Sequence, residues 1–425
     1  MLIEFQVENF RSFRGRQTLS MVGAALSEHV DSNTFDSGMK GFDRLLRSAV
    51  VYGPNAAGKT NLMKAIQFMQ SFVILSASST GASQYPYRPF KLSKATRTAP
   101  SHFEITFIHN GLRYEYGFSM GAKQIEKEWL TEYVQSKART RGRKLFERAW
   151  NKRAEKFDWD FGPSFKGERT TWSNSTRPEA LFLSTATQLN STQLRPVFDW
   201  FQKRLVVIAG QTTLNQSLTL KLWDEPDGKE RLLPFLKEAD LGIVDASVER
   251  QPLPSGGVFV SPNEAMLHQR AGSTVADVVK VTLAHASDDP SSPVGFDFDE
   301  ESSGTQILFK TAGAWLNVFK NGEILLFDEI DTNIHPSLLL FLVKKFHSNA
   351  TNPHNAQLIC STHNTTLLDT KVFRRDQFWF VEKEQNGASR LYPLTDFSPR
   401  NDEVIERWYM RGRYGALPVL PESAE

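Results

Sequence analysis

The segment 53–60, Gly-Pro-Asn-Ala-Ala-Gly-Lys-Thr, constrains the fold of this chain more than any other feature. It matches the G-x-x-x-x-G-K-[ST] pattern of a phosphate-binding P-loop, which lies between a strand and a helix. The residues before it, 48–52, are apolar enough for a short buried strand, and the residues after it, 61–66, favour a helix. A glycine-rich turn that matches by chance is the alternative, but the flanking patterns favour a P-loop.

The residue types in this segment fit the chemistry of a nucleotide phosphate. Gly53 and Gly58 allow the backbone to turn tightly, so that its N–H groups converge on phosphate oxygens. The following helix directs its positive dipole end at the same anion. Lys59 is placed to reach the β- and γ-phosphates and the Thr60 hydroxyl to bind Mg²⁺, so ATP and Mg²⁺ are the expected cofactors. The candidate phosphate-binding residues are Gly53, Pro54, Asn55, Ala56, Ala57, Gly58, Lys59, Thr60 and Asn61.

Composition limits the remaining possibilities. The chain has 425 residues, which is enough for two or three structural units. Its net charge is only +2, so any nucleic-acid surface would have to be a local basic patch. Its only cysteine, Cys360, excludes an internal disulfide framework and a cysteine-rich zinc site. The N-terminal residues lack a signal-peptide pattern, and no apolar run is long enough to cross a bilayer. We expect a soluble cytoplasmic protein without membrane contact.

Alternating apolar and polar residues predict strands in the first half of the chain. Residues 2–7 alternate, and the alternating runs 102–108 and 112–118 flank Asn110-Gly111, which is a strong hairpin signal. Because these runs are short and close in sequence, we expect an antiparallel β subdomain beside the P-loop core. Further strand patterns occupy 17–22, 125–134 and 143–150, while the helix after the P-loop is predicted to end near residue 75.

The second half of the chain returns to α/β character. Residues 181–185 are predicted to form a buried strand, and 205–290 a compact, mainly helical insertion that includes 231–238 and 275–286. Continuous apolar runs then favour parallel strands that are covered on both faces, at 323–327 and 357–361. The predicted fold class is therefore α/β. The expected divisions are 1–75 with the P-loop, 76–180 with the β subdomain, 181–295 with the insertion, 296–400 as the C-terminal lobe and 401–425 as a tail.

Two apolar strands end in residues that can hydrolyse a nucleotide. The run at 324–327 ends in Asp328-Glu329, and successive residues of a strand point in opposite directions. Asp328 would hold Mg²⁺, directly or through water, and Glu329 would act as general base for the attacking water. His363 follows the next apolar strand, where it can hydrogen-bond the γ-phosphate or the water. A helix cap or a core histidine is the alternative for His363.

The segment 300–306, Glu-Glu-Ser-Ser-Gly-Thr-Gln, opens a helix predicted at 307–319. Serine and glycine at the start of a helix can form an anion site from backbone N–H groups. An ordinary N-cap by Ser302 or Ser303 is the alternative, and both interpretations can hold together.

Four motifs follow one another in a defined order: the P-loop, Ser-Ser-Gly-Thr-Gln, Asp-Glu-Ile-Asp and Ser-Thr-His. This order, with Asn-Phe-Arg-Ser-Phe at 9–13, resembles the ABC-type ATPases of the RecF and structural-maintenance-of-chromosomes branch. More narrowly, the chain is similar to the small RecF-like ATPases typified by RloA and AbiLi, whose relatives serve as ATPase subunits of PARIS and Septu anti-phage systems. The narrower resemblance rests on residues 181–184, on His335-Pro336 and on 409–418.

The resemblance implies roles for further residues. It implies an ABC-ATPase head in which Ser303 and Gly304 contact the γ-phosphate that a second subunit binds. It places Asp331 in a D-loop at the interface of a homodimer or higher homo-oligomer. It makes Gln188 the candidate Q-loop glutamine and a further metal ligand. Two nearby glutamines are alternatives, Gln193 and Gln211.

Two classes of function are consistent with these motifs. The first is an ATPase that dimerises around ATP and controls a separate effector, a nuclease or toxin, because the chain lacks zinc-hydrolase patterns and a carboxylate cluster for such an activity. The second is a RecF-like DNA-repair ATPase that acts as a DNA-binding clamp. The nearly neutral net charge argues against this second function. A P-loop kinase is disfavoured by the 303–304 motif and by His363.

Overall fold

The structure, a computed structural model, describes residues 1–78, 87–135, 140–209, 216–239, 242–252, 266–269, 276–289, 291–400 and 403–418. The chain divides into two compact units. The first unit comprises Met1–Ala209, Phe319–Ile330 and Val343–Glu425, and the second comprises Gly210–Val318 and Asp331–Leu342. The second unit is therefore inserted, in two pieces, into the sequence of the first.

The described chain contains both helices and strands. The strands are β1 (Leu2–Glu8), β2 (Gln17–Ser20), β3 (Thr34–Asp36), β4 (Arg44–Leu46), β5 (Ser48–Tyr52), β6 (Ser101–His109), β7 (Leu112–Met120), β8 (Ile125–Gln135), β9 (Thr140–Asn151), β10 (Lys156–Phe161), β11 (Leu205–Ala209), β12 (Ile243–Pro252), β13 (Met266–Gln269), β14 (Ala276–His285), β15 (Val294–Asp297), β16 (Ile324–Asp328), β17 (Gln357–Ser361), β18 (Phe378–Lys383) and β19 (Ser389–Pro393). The helices are α1 (Val30–Asn33), α2 (Lys59–Leu75), α3 (Arg169–Ser175), α4 (Phe182–Gln188), α5 (Arg195–Arg204), α6 (Ser217–Trp223), α7 (Gly228–Glu238), α8 (Ser303–Asn321), α9 (Pro336–His347) and α10 (Ile405–Met410). Runs of consecutive strands occur at β6–β10 and β12–β15. Among the described helices, none is both long and apolar enough to span a bilayer.

A six-stranded sheet with the order β11-β16-β17-β5-β18-β19 runs through the first unit. Its first five strands are parallel, and β19 pairs antiparallel with β18. Strands β5, β16 and β17 are buried along their whole length, as their continuous apolar sequences predict for strands covered on both faces. The α/β fold class expected from the sequence is confirmed.

A seven-stranded antiparallel sheet with the order β10-β9-β8-β7-β6-β1-β2 forms the other layer of the first unit. The predicted hairpin joins β6 to β7, and its two central residues, Asn110 and Gly111, both have positive φ angles, of 50° and 74°. This geometry is that of a two-residue type I′ turn, which Asn-Gly favours. The N-terminal strands β1 and β2 extend the same sheet, because β1 pairs with β6.

Helix α2 lies between the two sheets and ends at Leu75, as predicted. Its Phe68 ring lies 5.0 Å from the Phe103 ring of the antiparallel sheet. Its other apolar side chains share one buried core with Val51 and Leu326 of the parallel sheet. Apolar contacts on both sides therefore fix the helix that begins within the P-loop.

Residues 181–185 do not form the predicted strand, because Phe182–Gln188 is helix α4. The fully buried carboxylate of Glu128, on β8, accepts hydrogen bonds from the N–H groups of Phe182 and Leu183, at 2.7 and 3.0 Å. An acceptor for the free N–H groups of a first turn stabilises the start of a helix. The prediction was wrong because this acceptor is distant in sequence.

The second unit contains more strand than the sequence predicted. Strands β12, β14 and β13 form an antiparallel sheet to which β15 is added, beside helices α6 and α7. The helix expected at 231–238 is present within α7, but the helix expected at 275–286 is wrong, because Ala276–His285 is strand β14. Val279, Val281 and Leu283 are buried at alternate positions of β14, which is the period of a strand. The insertion is therefore not mainly helical in its described part.

Candidate nucleotide-binding site

The P-loop of the first unit joins β5 to α2, as predicted. Gly53 has φ of 156° and Gly58 has φ of 127°, and a Cβ atom would collide with the Val381 carbonyl at the first position and with the Ser389 side chain at the second. Only glycine avoids both the strained backbone and the collision. Among the predicted phosphate-binding residues of this loop, Gly53, Ala57, Gly58 and Lys59 are buried, Pro54, Thr60 and Asn61 are half-buried, and Asn55 and Ala56 are exposed.

Lys59 is the first residue of α2, and its side chain turns back into the loop. Its Nζ atom donates hydrogen bonds to the carbonyl oxygens of Gly53, at 2.7 Å, and Pro54, at 3.2 Å. The residue is only 5% exposed. The ammonium group is therefore held inside the turn whose N–H groups can bind phosphate.

Two serines outside the P-loop support it. Ser12 Oγ accepts hydrogen bonds from Asn61 Nδ2 and from Ser389 Oγ, both at 2.8 Å. Ser389 also contacts the carbonyl oxygen of Ala57, and its N–H donates to Ser12 O at 2.8 Å. Ser12 belongs to the Asn-Phe-Arg-Ser-Phe motif, but no sequence pattern singles out Ser389, because it lies 377 residues from Ser12.

Asp328 and Glu329 are held by one hydroxyl group, that of Ser361 at the end of the neighbouring strand β17. Ser361 Oγ donates to Asp328 Oδ1 at 2.6 Å and accepts from the Glu329 N–H at 2.8 Å. Asp328 is 3% exposed, whereas Glu329 is exposed and has a left-handed backbone with φ of 56°. The two carboxylates therefore face different surroundings, as their different predicted tasks require.

The strand order places His363 at the same edge as these carboxylates. Strand β17 lies between β16 and β5, and adjacent strands are about 4.8 Å apart, so the ends of all three lie within roughly 10 Å. The Thr362 N–H donates to Val51 O at 3.2 Å, and Tyr52 OH donates to Asn364 O at 3.1 Å. These bonds fix the backbone on both sides of His363, whose side chain is exposed, beside the strand that leads into the P-loop.

Arg11 is a functional candidate that the sequence analysis did not name. It directly precedes Ser12, has φ of 52°, and donates its backbone N–H to Arg88 O at 2.8 Å. Its Nε atom is buried and has no hydrogen-bond partner among the described residues. Burial, and then the charge of Arg88, lower the pKa of Arg11. Arg11 and Arg88 are therefore two cations close to Ser12, and they can neutralise the charge of an anion bound near the P-loop.

Ser303 and Gly304 belong to the second unit, where they begin helix α8. Ser302 Oγ accepts a hydrogen bond from the Thr305 N–H at 3.2 Å, so Ser302 has the N-cap contact that was the alternative interpretation. A Cβ atom at Gly304 would lie 3.0 Å from Asn333 O, in the segment after Asp331. We call Ser303-Gly304, which the resemblance places against the ATP of a second subunit, the signature segment; it adjoins the predicted D-loop segment within this unit.

The structure does not bring Gln188 to the P-loop. Ser184 of the same helix contacts Val73 O at 2.6 Å and Ser76 Oγ at 3.0 Å, at the far end of α2 from Lys59. That end is roughly 20 Å from the P-loop at 1.5 Å per helical residue. The alternative Gln193 is engaged by Ser164 O and the Lys166 N–H, and Gln211 lies outside the described residues.

Thr60 and Asp328 remain predicted Mg²⁺ ligands. Their hydroxyl and carboxylate oxygens are the hard donors that Mg²⁺ prefers. The described residues contain no cluster of three or more His, Cys, Asp or Glu side chains. A site with few protein ligands fits Mg²⁺ bound mainly by substrate phosphates and water.

Comparisons with known proteins found one matching family and several similar solved structures. The family described as "AAA domain, putative AbiEii toxin, Type IV TA system" matches residues 48–369, from the start of β5 past His363. No curated protein matches the chain. One similar solved structure is the SmcHead bound to the C-winged helix domain of ScpA, at 11% identity and a TM-score of 0.40, covering 92% of this chain and 96% of that one. Another is the SMC head domain from Thermotoga maritima, at 12% identity and a TM-score of 0.41, covering 92% and 98%.

Proposed function

Since this chain belongs to the AAA-domain family whose match spans residues 48–369, we propose that it is an ABC-type ATPase that dimerises around ATP and controls a separate effector. The observation that carries the proposal is the single hydroxyl of Ser361 that joins buried Asp328 to the backbone of Glu329, on the strand next to the P-loop strand. This arrangement suits a metal ligand and a general base acting on one bound nucleotide.

In the proposed reaction, Lys59 and the loop N–H groups bind the phosphates of ATP. Thr60 and Asp328 would hold Mg²⁺, which supplies charge neutralisation for the transferred phosphoryl group. Glu329 accepts a proton from the attacking water, and its exposure allows that water to reach it. His363 hydrogen-bonds the γ-phosphate or the water. The products are ADP and phosphate.

Replacing Glu329 by glutamine tests the base. Glu329→Gln keeps the shape of the side chain and removes its basicity, so we expect ATP binding to persist and turnover to fall by roughly 10²–10⁴-fold. Glu323→Gln is the matched control, because it makes the same substitution just before the first residue of β16, at the end of the strand away from the site. Burial raises the pKa of Glu323. Parental turnover in Glu329→Gln, or an equal loss in Glu323→Gln, would contradict the assignment.

Dimerisation is proposed from the signature segment. Ser303 and Gly304 would contact the ATP held by a second copy of the chain, giving a two-fold interface with two shared nucleotides. Ser303→Arg should then leave ATP binding by the monomer intact and block closure, because a bulky cation replaces a small donor. Lys59→Ala should abolish ATP binding at its own P-loop.

Mixing these two variants tests whether each ATP site is shared between two chains or is contained within one chain. In a mixed dimer, the Lys59→Ala chain has an unaltered signature segment and the Ser303→Arg chain has an unaltered P-loop. Together these two segments form one complete nucleotide site. We expect partial recovery of ATP hydrolysis in the mixture. Normal turnover by Ser303→Arg alone, as a monomer, would show a self-contained P-loop enzyme instead.

The effector and the role in anti-phage defence are proposed from the resemblance to the ATPase subunits of PARIS and Septu systems. The test is co-expression with the product of an adjacent nuclease-like or toxin-like gene, with and without Glu329→Gln. ATP-dependent control of that product would support the proposal. Salt-dependent DNA binding by the isolated protein, without control of such a product, would favour the RecF-like clamp.

A further inference from the structure

The segment that follows β19 forms a surface pocket that the ATPase reaction does not use. The pocket has a volume of about 500 Å³. We call it the C-terminal arginine pocket. Its lining residues are Arg400, Glu403, Val404, Arg407, Trp408 and Arg413.

The pocket carries excess positive charge. Its one described carboxylate, that of Glu403, is already engaged, since it accepts from Arg413 Nη1 at 2.9 Å and from Tyr414 OH at 3.0 Å. Arg400 and Arg407 have no side-chain ion pair with any described residue, and both are exposed. Unpaired guanidinium groups favour carboxylate or phosphate partners, which they can bind with two parallel hydrogen bonds.

The surroundings of these arginines favour a peptide over a nucleic acid. The guanidinium carbons of Arg411 and Arg413 lie 5.6 and 5.1 Å from the centre of the Trp408 ring, so the ring orders cations instead of offering an open stacking face. Val404, which lines the pocket, is 60% exposed, and so is Met410, the last residue of α10. Exposed apolar side chains suit apolar residues of a peptide, whereas single-stranded nucleic acid needs accessible aromatic faces.

Buried tyrosines anchor the segment that carries the pocket residues. Tyr409 OH donates to Ala416 O at 3.0 Å, and Tyr392 OH donates to Tyr414 O at 2.9 Å. The side chains of Tyr409 and Tyr414 are buried, while Met410, Arg411 and Arg413 between them are exposed. The Tyr-Met-Arg-Gly-Arg-Tyr pattern therefore places its aromatic residues inside and its cations outside.

Helix α10, which carries Arg407 and Trp408 of the pocket, also contacts the segments beside the candidate nucleotide site. The Tyr409 ring lies 5.8 Å from the ring of Tyr52, the residue directly before the P-loop. Glu406, on the same helix α10, accepts a hydrogen bond from Thr365 Oγ1 at 2.6 Å, two residues after His363. A ligand bound to Arg407 therefore contacts a helix that touches both segments.

We propose that the C-terminal arginine pocket binds an acidic peptide segment with apolar side chains, supplied by a protein partner, and that this binding alters ATP hydrolysis. The effect on ATP hydrolysis and the identification of the partner with the effector rest on the proposed function, whereas the binding chemistry of the pocket does not. Carboxylates of the segment pair with Arg400 and Arg407, and its apolar side chains contact Val404 and Met410.

The binding test uses defined probes and the whole protein at physiological salt. The probes are a fluorescent peptide of glutamates interspersed with leucines, an all-glutamate peptide and a single-stranded oligonucleotide, all of equal charge. We expect the mixed peptide to bind best and the Arg400→Glu/Arg407→Glu variant to bind it at least roughly tenfold more weakly. Lys152→Glu/Arg153→Glu, at two exposed sites in the turn between β9 and β10, changes the charge by the same amount; this matched control should bind normally.

Two further measurements complete the test. Val404→Ser/Met410→Ser should remove the preference for the mixed over the all-glutamate peptide. The mixed peptide should change the ATP hydrolysis rate of the parental protein but not of Arg400→Glu/Arg407→Glu, whose hydrolysis without peptide should be parental.

Preference for the oligonucleotide, unchanged binding in the double arginine variant, or a peptide without effect on hydrolysis would overturn the proposal. An inactive parental ATPase would refute the proposed function, while fluorescence would still decide the binding chemistry.

Discussion

Replacing Ser361 by alanine should uncouple the two carboxylates of the site at a calculable cost. The hydroxyl makes one bond to a charged group, Asp328 Oδ1 at 2.6 Å, and one to a neutral group, the Glu329 N–H at 2.8 Å. Bonds of these kinds contribute about 1.5–3 and 0.5–1.5 kcal/mol. Because they share one hydroxyl, their contributions do not add in full. We therefore expect Ser361→Ala to lower the free energy of unfolding by less than that sum, by about 1.5–4 kcal/mol.

The same variant should be impaired in catalysis more than in ATP binding. Without the hydroxyl, the positions of Asp328 and the Glu329 backbone are no longer tied together, and small displacements of reacting groups are costly. The P-loop is unchanged, so kcat should fall by roughly tenfold or more while KM for ATP changes little. Urea unfolding and steady-state ATP hydrolysis measure the two effects.

Ser48→Ala separates lost stability from lost catalysis. Ser48 is also fully buried, but it lies at the opposite end of β5, where its hydroxyl contacts Gln377 Nε2 at 2.7 Å and His347 Nε2 at 2.8 Å. We expect Ser48→Ala to be destabilised with kcat retained. Parental kcat in Ser361→Ala, or an equal loss of kcat in Ser48→Ala, would refute the reasoning.

Two further predictions concern buried groups away from the site. Glu128→Ala should lower the free energy of unfolding by about 3–5 kcal/mol in urea, because it leaves the fully buried Arg148 without its carboxylate; a loss below about 1 kcal/mol would contradict this. Burial, and then the charge of Arg47, lower the pKa of His347 to about 3, so the unfolded state, with a pKa near 6.5, binds more protons as the pH falls. The contribution of neutral His347 to the free energy of unfolding is thus fully present above about pH 6.5 and is lost as the pH falls towards 3. Between pH 7 and pH 5 the loss is about 2 kcal/mol. His347→Gln should show a correspondingly weaker pH dependence of unfolding, and an unchanged dependence would contradict the assignment.

Local sequence was sufficient wherever one segment carries its own structural cause. The P-loop, the buried strands β5, β16 and β17, and the Asn-Gly hairpin each follow from residues that are adjacent in the chain. Gly53 and Gly58 are an example, since their φ angles of 156° and 127° are ones that residues with side chains rarely adopt.

Sequence was insufficient where the cause is a distant residue. Helix α4 begins where the Glu128 carboxylate meets the N–H groups of Phe182 and Leu183, 54 and 55 residues away. Apolar residues at 181–183 are equally compatible with a buried strand until that acceptor is known. The displacement of Gln188 from the P-loop follows from the same helix, because it packs on the far end of α2.

The Asp328-Glu329 pair shows how a correct expectation can have a different physical cause. Alternation along a strand predicted that the two side chains point apart. In the structure, β16 ends at Asp328, and Glu329 leaves it with a left-handed φ of 56°. That conformation costs roughly 1–2 kcal/mol for a residue other than glycine. The hydrogen bond from the Glu329 N–H to Ser361 Oγ offsets much of this cost, because it satisfies a backbone donor at the end of the strand. The exposed position of the proposed base therefore depends on a hydroxyl of the neighbouring strand, which the Asp-Glu sequence alone does not contain.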